Sequence, residues 1–524
     1  MFPREQLLPV VSKGTFYRMK ARIDYLLDRV TMYRLVLYIL IGLIAMATVL
    51  SYFQLLPFSP FSLLLSTIFL VLICWAANSL LGYIFAVPTN IESTYITALI
   101  LALIIDPIRS ASDLQFLGWA AILAISSKYI LALHNKHLFN PAAIAVVITS
   151  FALGESASWW VGTSSMLPVV LLGGALLVRK LRQREMVLLF VTTALVTVCI
   201  VSLLQGLSLT RELQQLLVES PLFFFATIML TEPLTAPPTQ KLKRIYGVIV
   251  GVLFIPQMHL GPIYSTPELA LVIANVYSYI VSPKKKVVLK LKRKRKMSSN
   301  IVDFTFKPSQ RLAFAPGQYM EFTLAHQKPD SRGNRRFFTL ASSPTEESLH
   351  LGVRFYADSS SFKKALYSID GRTTMMAGQI AGDFTLPDDP EQKLVFIAGG
   401  IGITPYRSML KYLLDMRQPR DIVLLYANKT ANEIVYQDIL NEAQMQLGTR
   451  VFYTLTDTEA LPRNWNGLVG RIHEGMILKT IPDYQDRTYY ISGPPNMVRA
   501  YEHILKNMGV KQNQIKKDFF PGLV

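Results

Sequence analysis

The sequence predicts an α-helical polytopic membrane domain of about ten transmembrane helices, followed by an antiparallel β-barrel and an α/β domain with a parallel sheet. Three observations predict this fold class. Apolar residues make up 51% of the 524 residues, with a mean hydropathy of +0.33, which is high for a soluble protein. Long apolar runs end near residue 282, and short β-rich runs and then strand–helix alternation follow. The predicted parts are a basic N-terminal segment, the membrane domain, the barrel and the α/β domain, at residues 1–34, 35–282, 283–390 and 391–524.

The membrane domain is predicted from ten apolar segments. A lipid-exposed helix needs about 17 to 25 apolar residues to cross the hydrocarbon core, and a helix packed inside a bundle needs fewer. The segments lie at about 35–56, 59–86, 94–106, 115–133, 139–153, 166–178, 186–205, 220–232, 244–258 and 267–282.

The loops between these segments predict the orientation. Basic residues before the first segment include Lys13, Arg18, Lys20, Arg22 and Arg29. If that side is cytoplasmic, the inward short loops hold eight Lys or Arg, whereas the outward short loops hold only Arg109 and Arg211. Cytoplasmic loops of membrane proteins are enriched in Lys and Arg. We therefore expect a multi-pass protein of the inner (plasma) membrane whose soluble domains are cytoplasmic.

Basic charge is concentrated in the apolar half. Residues 1–296 carry a net charge of +15, and residues 297–524 carry a net charge of +3. A nucleic-acid-binding protein places its charge on a folded soluble face, so nucleic acid is not an expected partner. The run "KKKVVLKLKRKRKM", residues 284–297, holds nine Lys or Arg. We interpret this run as the first barrel strand, with its lysines facing water or lipid headgroups.

The cysteine count limits the redox cofactors. Only Cys74 and Cys199 are present, both in apolar runs. An intrachain iron–sulfur cluster needs about four thiolates, so the sequence excludes one.

Strand patterns distinguish the two soluble domains. The runs "VVLKLK", "NIVDFTF", "QYMEFTL" and "LHLGVRFY" alternate at period two, which predicts a barrel or sandwich. From Lys393 onward, strands such as "KLVFIAGG" and "DIVLLYAN" each precede a helical stretch. This alternation is typical of a parallel sheet covered by helices.

A glycine-rich turn, "AGGIGITP", joins the strand "LVFI" to a helix. Gly399, Gly400 and Gly402 allow the backbone to approach a ligand closely, and the N-terminus of the next helix offers free N–H groups to a pyrophosphate. Pro405 suits the first turn of that helix. Such a turn alone is a weak nucleotide motif, but "RRFFTLASSP" lies upstream and "SGPPNM" lies at the end of a later strand.

These three motifs resemble the ferredoxin–NADP reductase superfamily in order and spacing. The resemblance implies that the barrel binds FAD: Arg336 would hold a flavin phosphate, the ring of Phe338 would stack on the isoalloxazine, and the Thr339 hydroxyl would reach its N5. A Ser turn that opens a helix, with Ser360 and Ser361, would give a second phosphate contact. The family more often has Tyr at the position of Phe338, and this chain lacks the family's glycine before the Ser turn.

The same resemblance implies an NAD(P)H site in the α/β domain. Its pyrophosphate would bind the turn that contains Gly399, Gly400, Gly402, Ile403 and Thr404. Gly493, Pro494 and Pro495 would hold the nicotinamide near the flavin. Ser492, where many relatives have Cys, would act together with Thr339 as a catalytic residue.

The residues that follow the second strand of the α/β domain favour NADH over NADPH. A 2′-phosphate needs an Arg or Lys pair beyond the second strand, and that stretch supplies only Lys429, with Glu433 nearby. Phe520 in the tail "DFFPGLV" would either cover the flavin ring or simply pack.

Two patches in the membrane domain, "KHLFNPAAIAVVI" and "FFFATIMLTEPLTAPPT", resemble the D subunit of Rnf-type complexes and the B subunit of sodium-pumping NADH:quinone reductases. The resemblance implies a membrane flavin, such as FMN, that carries electrons across the membrane or to a quinone. Relatives attach FMN through a Thr on the outer side, which corresponds here to Thr163, Ser164 or Ser165. The Asp that usually precedes that motif is missing, so a covalent flavin, a non-covalent flavin and no flavin are all open.

Two carboxylates of the membrane domain, Glu232 and Asp106, are candidates for ion coupling. A carboxylate at membrane depth is costly and usually marks a pathway or a partner. A salt bridge from such a carboxylate to a loop lysine is the alternative.

The sequence thus predicts an NAD(P)H-oxidising, FAD-containing membrane reductase that passes electrons to a flavin or quinone in the helical bundle. Its expected partners are the bilayer, the electron acceptor and other electron-transport subunits. Two alternatives are open. A transmembrane haem reductase needs paired histidines, and this half contains only His134, His137 and His259. A transporter or scaffold with a lapsed nucleotide fold would not oxidise NAD(P)H.

Overall fold

The structure is a computed structural model. It describes residues 23–24, 26–27, 30–85, 91–133, 136–261, 263–282, 286–330 and 333–518. Several residues singled out above lie outside this described part, namely Lys13, Arg18, Lys20, Arg22, Arg29, His134, Lys284, Lys285 and Phe520.

The first half is helical, and every predicted apolar segment coincides with a helical element. The helices are α1 Met32–Tyr52, α2 Pro60–Ile84, α3 Ile91–Ile104, α4 Ala111–Ile130, α5 Pro141–Leu153, α6 Leu167–Leu181, α7 Arg184–Gln205, α8 Leu209–Val218, α9 Leu222–Phe224, α10 Gln240–Leu253 and α11 Pro267–Val281. Helix α9 continues into a π-helical turn, Phe225–Met229. Helix α8 has no counterpart among the predicted segments, because its sequence LTRELQQLLV is amphipathic and contains no long apolar run.

A membrane domain is supported by the length and surface of these helices. Helices α1, α2 and α7 are long and apolar enough to cross a membrane, and α3, α5 and α11 are shorter apolar helices. Large apolar side chains such as Phe61, Leu172 and Leu204 are exposed on the outside, which leaves an apolar surface for lipid to cover. The count of about ten transmembrane helices stays a prediction.

Polar caps begin several of these helices. The Asn140 side chain accepts the Ala143 N–H at 3.1 Å, and Pro141 occupies the first turn of α5, where no N–H is needed. Short antiparallel strand pairs lie in two of the loops, β1 Ala132–Leu133 with β2 Lys136–His137 and β3 His259–Leu260 with β4 Ile263–Tyr264.

The antiparallel domain is a six-stranded sheet in the order β8-β7-β10-β5-β6-β9. Its strands are β5 Val287–Lys296, β6 Ile301–Pro308, β7 Tyr319–Thr323, β8 Arg335–Thr339, β9 Leu349–Arg354 and β10 Thr374–Ala381, and helix α12 spans Ser361–Tyr367. All of these strands except β8 bury side chains in one apolar core around Phe304, Phe306 and Phe322, and Phe338 of β8 packs against it. A sheet wrapped around one core is the predicted barrel. The described part of the basic run forms strand β5, in which Val287 and Leu289 are buried while most of the Lys and Arg are exposed.

The α/β domain is a six-stranded parallel sheet in the order β14-β13-β12-β11-β15-β16. Its strands are β11 Leu394–Gly399, β12 Ile422–Asn428, β13 Arg450–Leu455, β14 Leu468–Val469, β15 Thr488–Ser492 and β16 Ile515–Lys517. Its helices are α13 Thr404–Asp415, α14 Gln437–Leu447, α15 Glu474–Thr480 and α16 Pro495–Asn507. Helices α13 and α14 cover one face, which contains Phe396, and α15 and α16 cover the other, which contains Val395. This arrangement agrees with the strand–helix alternation of the sequence.

Arg487 ties together the amino-terminal ends of the parallel strands. Its side chain is 2% exposed and donates to Asp421 Oδ2 at 2.7 Å and to Asp483 Oδ1 at 2.7 Å. Its hydrogen bond is the main reason why the pKa of the Asp483 carboxyl lies well below the ordinary range.

We expect Arg487→Lys to lower the free energy of unfolding of the α/β domain by about 2 kcal/mol, because lysine cannot make the two-pronged contact and hydrogen bonds to charged groups contribute about this much. The change is measured by urea unfolding of the purified full chain, monitored by hydrogen exchange of the backbone amides in β11 and β15. Arg450→Lys is the matched control, since Arg450 also contacts Asp421 but is 45% exposed. An equal loss of stability in both variants would contradict the interpretation.

Candidate functional site

The glycine-rich turn lies against the end of strand β15. Strands β11 and β15 are parallel neighbours, with Ala398 opposite Ser492. A Cβ atom at Gly402 would lie 2.4 Å from the Ser492 carbonyl oxygen, and one at Gly399 would lie 2.2 Å from the Met497 sulfur. Gly402 is therefore required where the turn meets the backbone of Ser492, whereas the flexible Met497 side chain could move away from a Cβ at Gly399.

The remaining residues of the turn differ in what they can offer a ligand. Gly400 has a φ of +54°, a conformation that favours glycine. The Ile403 side chain is fully buried, so this residue could contact a ligand only through its backbone. Thr404 begins helix α13, with Pro405 in its first turn, as the sequence predicts.

A cation from the barrel covers this turn. A Cβ atom at Gly400 would lie 3.2 Å from Nη1 of Arg354, at the end of β9. The other guanidinium nitrogen, Nη2, donates to Glu433 Oε2 at 2.7 Å. Sequence reasoning missed Arg354, because the only local signal was a basic residue at the end of a strand in the other domain.

The FAD-phosphate residues predicted in the barrel are brought together. The Arg336 guanidinium lies 5.4 Å from the centre of the Phe362 ring, and the Phe338 and Phe362 ring centres are 6.0 Å apart. Ser360 caps helix α12 by accepting the Lys363 N–H at 3.3 Å. Ser361 is the first residue of that helix.

An aspartate occupies the place between Arg336 and the start of α12. Arg336 Nη2 donates to Asp330 Oδ1 at 3.3 Å, and the Ser361 N–H donates to Asp330 Oδ2 at 3.0 Å. One carboxylate is thus held by a guanidinium and a backbone amide, the donors that also bind phosphate oxygens. The residues present therefore fit the phosphate of a flavin nucleotide.

Thr339 and Ser492, predicted as catalytic from two different domains, meet at one carboxylate. The Ser492 hydroxyl donates to Asp518 Oδ2 at 2.9 Å, and the Thr339 hydroxyl lies 3.5 Å from the same oxygen. Asp518 follows strand β16, where its N–H donates to the Ile491 carbonyl at 3.0 Å. Sequence reasoning missed Asp518, although an acidic residue directly before the aromatic pair of the tail was visible.

The Gly-Pro-Pro segment continues from Ser492. Gly493 has a φ of +153°, and a Cβ atom there would lie 3.2 Å from the Gly399 backbone. Pro494 precedes helix α16 and Pro495 begins it. The predicted nicotinamide residues are thus adjacent to the glycine-rich turn and to the Asp518 carboxylate.

A buried polar network fixes the barrel against the α/β domain. Asp303 of β6 accepts the Tyr436 hydroxyl at 2.8 Å and contacts His350 Nδ1 at 2.9 Å. Arg407 of α13 pairs with Glu346, with Nη2 to Oε1 at 2.9 Å. Burial alone would raise the pKa of Asp303, but the hydrogen bonds and charge of His350 and the Tyr436 hydroxyl outweigh it, so this pKa is lowered.

In the helical half, the two family-like patches meet. Asn140 Nδ2 donates to Glu232 Oε2 at 2.9 Å, and the Thr235 hydroxyl donates to the same oxygen at 3.0 Å. His137 Nε2 lies 3.6 Å from Glu232 Oε1. We call Asn140, Glu232, Thr235 and His137 the Glu232 cluster. Asp106 is exposed.

Thr163, the candidate for covalent FMN, lies in the loop between α5 and α6, directly after the short 3₁₀ helix Trp160–Gly162. Its hydroxyl oxygen is buried and has no hydrogen-bond partner within the described part of the chain. An ester bond requires an accessible hydroxyl, so the residues as placed do not fit covalent attachment. Ser164 is exposed, whereas Ser165 is half-buried and its hydroxyl donates to the Leu55 carbonyl oxygen at 3.3 Å.

Two family models match separate parts of the chain. Residues 396–503 match the oxidoreductase NAD-binding domain, and residues 160–284 match the NQR2, RnfD, RnfE family. Both resemblances inferred from the sequence motifs are thereby confirmed.

Curated relatives match the soluble half. The flavohemoprotein of Oceanobacillus iheyensis is 26% identical over 243 residues, covering 44% of this chain and 58% of the relative. The glycine betaine monooxygenase reductase subunit of Chromohalobacter salexigens is 23% identical over 209 residues, covering 40% and 56%. One subunit of the Na(+)-translocating NADH-quinone reductase of Serratia proteamaculans is 29% identical over 138 residues, covering 26% and 34%. The chain spans less than two thirds of the length of each of these relatives.

We expect acid to weaken the domain interface through Asp303. Because the folded-state pKa of Asp303 is lowered, its contribution to stability is complete above the ordinary aspartate pKa of about 3.9 and is lost as the pH falls below it. In Asp303→Asn, the urea midpoint should be lower at neutral pH and should fall less between pH 5 and 3, about the span of this titration. The exposed Asp486→Asn serves as the control and should follow the unmodified protein; an unchanged acid dependence in Asp303→Asn would refute the assignment.

Proposed function

We propose that this chain, whose parts match an oxidoreductase NAD-binding domain and the NQR2, RnfD, RnfE family, is a membrane-bound reductase that oxidises NAD(P)H and passes electrons through FAD into its helical half. The observation that carries the proposal is the meeting of Thr339 and Ser492 at the Asp518 carboxylate. It makes one reaction site from residues of the barrel and the α/β domain.

Each domain supplies the binding groups for one nucleotide. Arg336 and the Ser361 N–H, which hold the Asp330 carboxylate, would bind the FAD phosphate. The glycine-rich turn and Arg354 would bind the dinucleotide pyrophosphate. Held by these residues, FAD would supply the chemistry of taking up a hydride, which consists of two electrons and one proton, and of releasing the electrons singly.

The chain's own hydroxyls would align the two rings. Asp518 Oδ2 accepts a hydrogen bond from the Ser492 hydroxyl and lies 3.5 Å from the Thr339 hydroxyl. These contacts fix both hydroxyl oxygens where the two domains meet. The Ser492 oxygen would hold the nicotinamide edge, and the Thr339 oxygen would face flavin N5. Such alignment of two reactants is a major part of the rate enhancement in enzymes.

NADH is the proposed nucleotide. Lys429, the basic residue after β12, is 70% exposed and lies 3.8 Å from Asp457, so this stretch offers one cation and not the Arg or Lys pair that a 2′-phosphate needs. Glu433, in the same stretch, accepts a hydrogen bond from Arg354 Nη2 at 2.7 Å, and an acidic residue in this region can hydrogen-bond a ribose 2′-hydroxyl.

The proposed acceptor is a flavin or a quinone in the helical half, which we propose to cross the inner membrane about ten times with both soluble domains cytoplasmic. The Glu232 cluster lies where the two family-like patches meet, and Glu232 contacts Asn140, Thr235 and His137. Coupling of electron flow to ion movement through Glu232 is part of the proposal, because a carboxylate in this setting usually serves a pathway or a partner.

An absorbance spectrum of the purified full chain, taken before and after NADH, tests the function. Flavin bands that bleach on addition of NADH are the expected result. A haem Soret band would favour the haem-reductase alternative. Flavin bands that do not bleach, or no flavin at all, would refute an NADH-oxidising reductase.

We expect Asp518→Asn and Ser492→Ala each to lower the rate of flavin reduction by NADH at least about tenfold, because loss of reactant alignment is costly in rate. Stopped-flow absorbance measures this rate. Ser492→Cys should preserve it better than Ser492→Ala. Thr480→Ala, which removes a buried hydroxyl bonded to the Met476 carbonyl within α15, is the control, and an equal effect in this variant would contradict a role at the site.

We expect no covalent flavin at Thr163, because its hydroxyl is buried. In-gel fluorescence of the denatured full chain under ultraviolet light measures bound flavin. A fluorescent band that disappears in Thr163→Val but persists in Thr149→Val, where another buried helical hydroxyl is removed, would overturn this expectation.

A further inference from the structure

The barrel touches the helical half through residues 379–383, which include the irregular end of strand β10. Gln379 Nε2 donates to the Pro233 carbonyl at 2.7 Å. The Asp383 carboxylate accepts the Gln240 N–H, with distances of 3.0 and 3.1 Å to its two oxygens. We call residues 379–383 the docking segment.

Gln379 adopts a backbone conformation that is unfavourable for its type. Its φ is +51°, and the pairing of β10 with β7 is irregular between Gly378 and Ala381. Side chains other than glycine are strained in this region, and such strain persists where the surroundings require it. The conformation turns the Gln379 side chain toward Pro233, and this contact gives the strain a physical reason.

Asp383 takes the position of a helix cap for α10. Thr239 precedes this helix, and its side chain makes no capping hydrogen bond within the described residues. The Asp383 carboxylate instead accepts the first N–H of the helix. Burial raises the pKa of the Asp383 carboxyl, while the Gln240 N–H and the positive charges of Lys243 and Lys516 act in the opposite direction.

The docking segment lies between the proposed site of hydride transfer and the Glu232 cluster. On the barrel side, Ala381 pairs with Tyr319, which pairs with Thr339, so the segment is two strand spacings, about 10 Å, from the catalytic threonine. A Cβ atom at Gly382 would lie 3.0 Å from the Tyr319 ring, so the packing is tight. On the other side, Pro233 directly follows Glu232.

We infer that the docking segment fixes the reaction end of the barrel on the loop that carries Glu232, and that Gln379 and Asp383 are positioning residues for electron transfer between the halves. The inference rests on the proposed function and identifies the contact between the barrel and the helical half at which electrons would pass. With a quinone acceptor, NAD(P)H, a proton and the quinone give NAD(P)⁺ and the quinol. Both electrons must then cross this interface.

The test uses the full chain in detergent and the variants Gln379→Gly and Asp383→Ala. Glycine suits the left-handed backbone at 379, so this variant removes the contact without disturbing the strand. Arg417→Gly is its matched control, because Arg417 also has a positive φ, +52°, and is exposed at the end of α13. Asp388→Ala is the control for Asp383→Ala, since Asp388 is an exposed aspartate five positions away.

Three measurements are made on each variant. Ferricyanide takes electrons directly from a reduced flavin, a short-chain ubiquinone reports transfer through the helical half, and hydrogen exchange over residues 233–243 reports docking. Electron transfer between the halves depends on a fixed relative position of donor and acceptor, so we expect quinone reduction to fall at least about tenfold. Exchange over 233–243 should become faster, while NADH:ferricyanide activity should stay within about twofold, since hydride-site alignment is untouched.

Two outcomes would overturn the inference. One is unchanged quinone reduction and unchanged exchange in both docking variants. The other is an equal loss of ferricyanide and quinone activities, which would indicate damage to the barrel itself. Absence of NADH:ferricyanide activity in the unmodified chain would instead refute the proposed function, and the exchange measurement would then decide on docking alone.

Discussion

One carboxylate oxygen, Oδ2 of Asp518, holds the arrangement on which the rest of the site depends. Thr339 comes from a barrel strand and Ser492 from a parallel strand, and no local sequence force brings them together. The carboxylate gives both hydroxyls a common acceptor. A shared acceptor can align the two hydroxyls only if the two domains keep one relative position. The buried contacts of Asp303 with Tyr436 and of Arg407 with Glu346 hold the domains in that position.

The barrel contacts both the α/β domain and the helical half. It contacts the α/β domain through Asp303 of β6, and it contacts the helical half through Gln379 and Asp383. Strands β10, β5 and β6 are consecutive neighbours in the sheet and connect these contacts. A rigid sheet therefore separates the proposed site of hydride transfer from the helical half by a short and defined distance.

Sequence patterns predicted what depends on neighbours along the chain. The apolar runs located the helices, because burial in lipid or in a bundle requires a continuous apolar sequence. The amphipathic helix α8 was not predicted because it has no such run. The strand–glycine–helix pattern located the turn at Gly399. Asp518, Arg354 and Gln379 could not be found in this way, because each acts on a residue of another domain and its own surroundings in the sequence are ordinary. The assignment of individual cofactor contacts stays a prediction.

The position of Asp330 has a consequence for how the molecule matures. A buried guanidinium without a partner would destabilise the folded barrel, and here Asp330 provides the counter-ion. Under the proposed function, the barrel would complete its fold before FAD binds. Loading would then exchange one anion for another, with the flavin phosphate displacing the Asp330 carboxylate from Arg336.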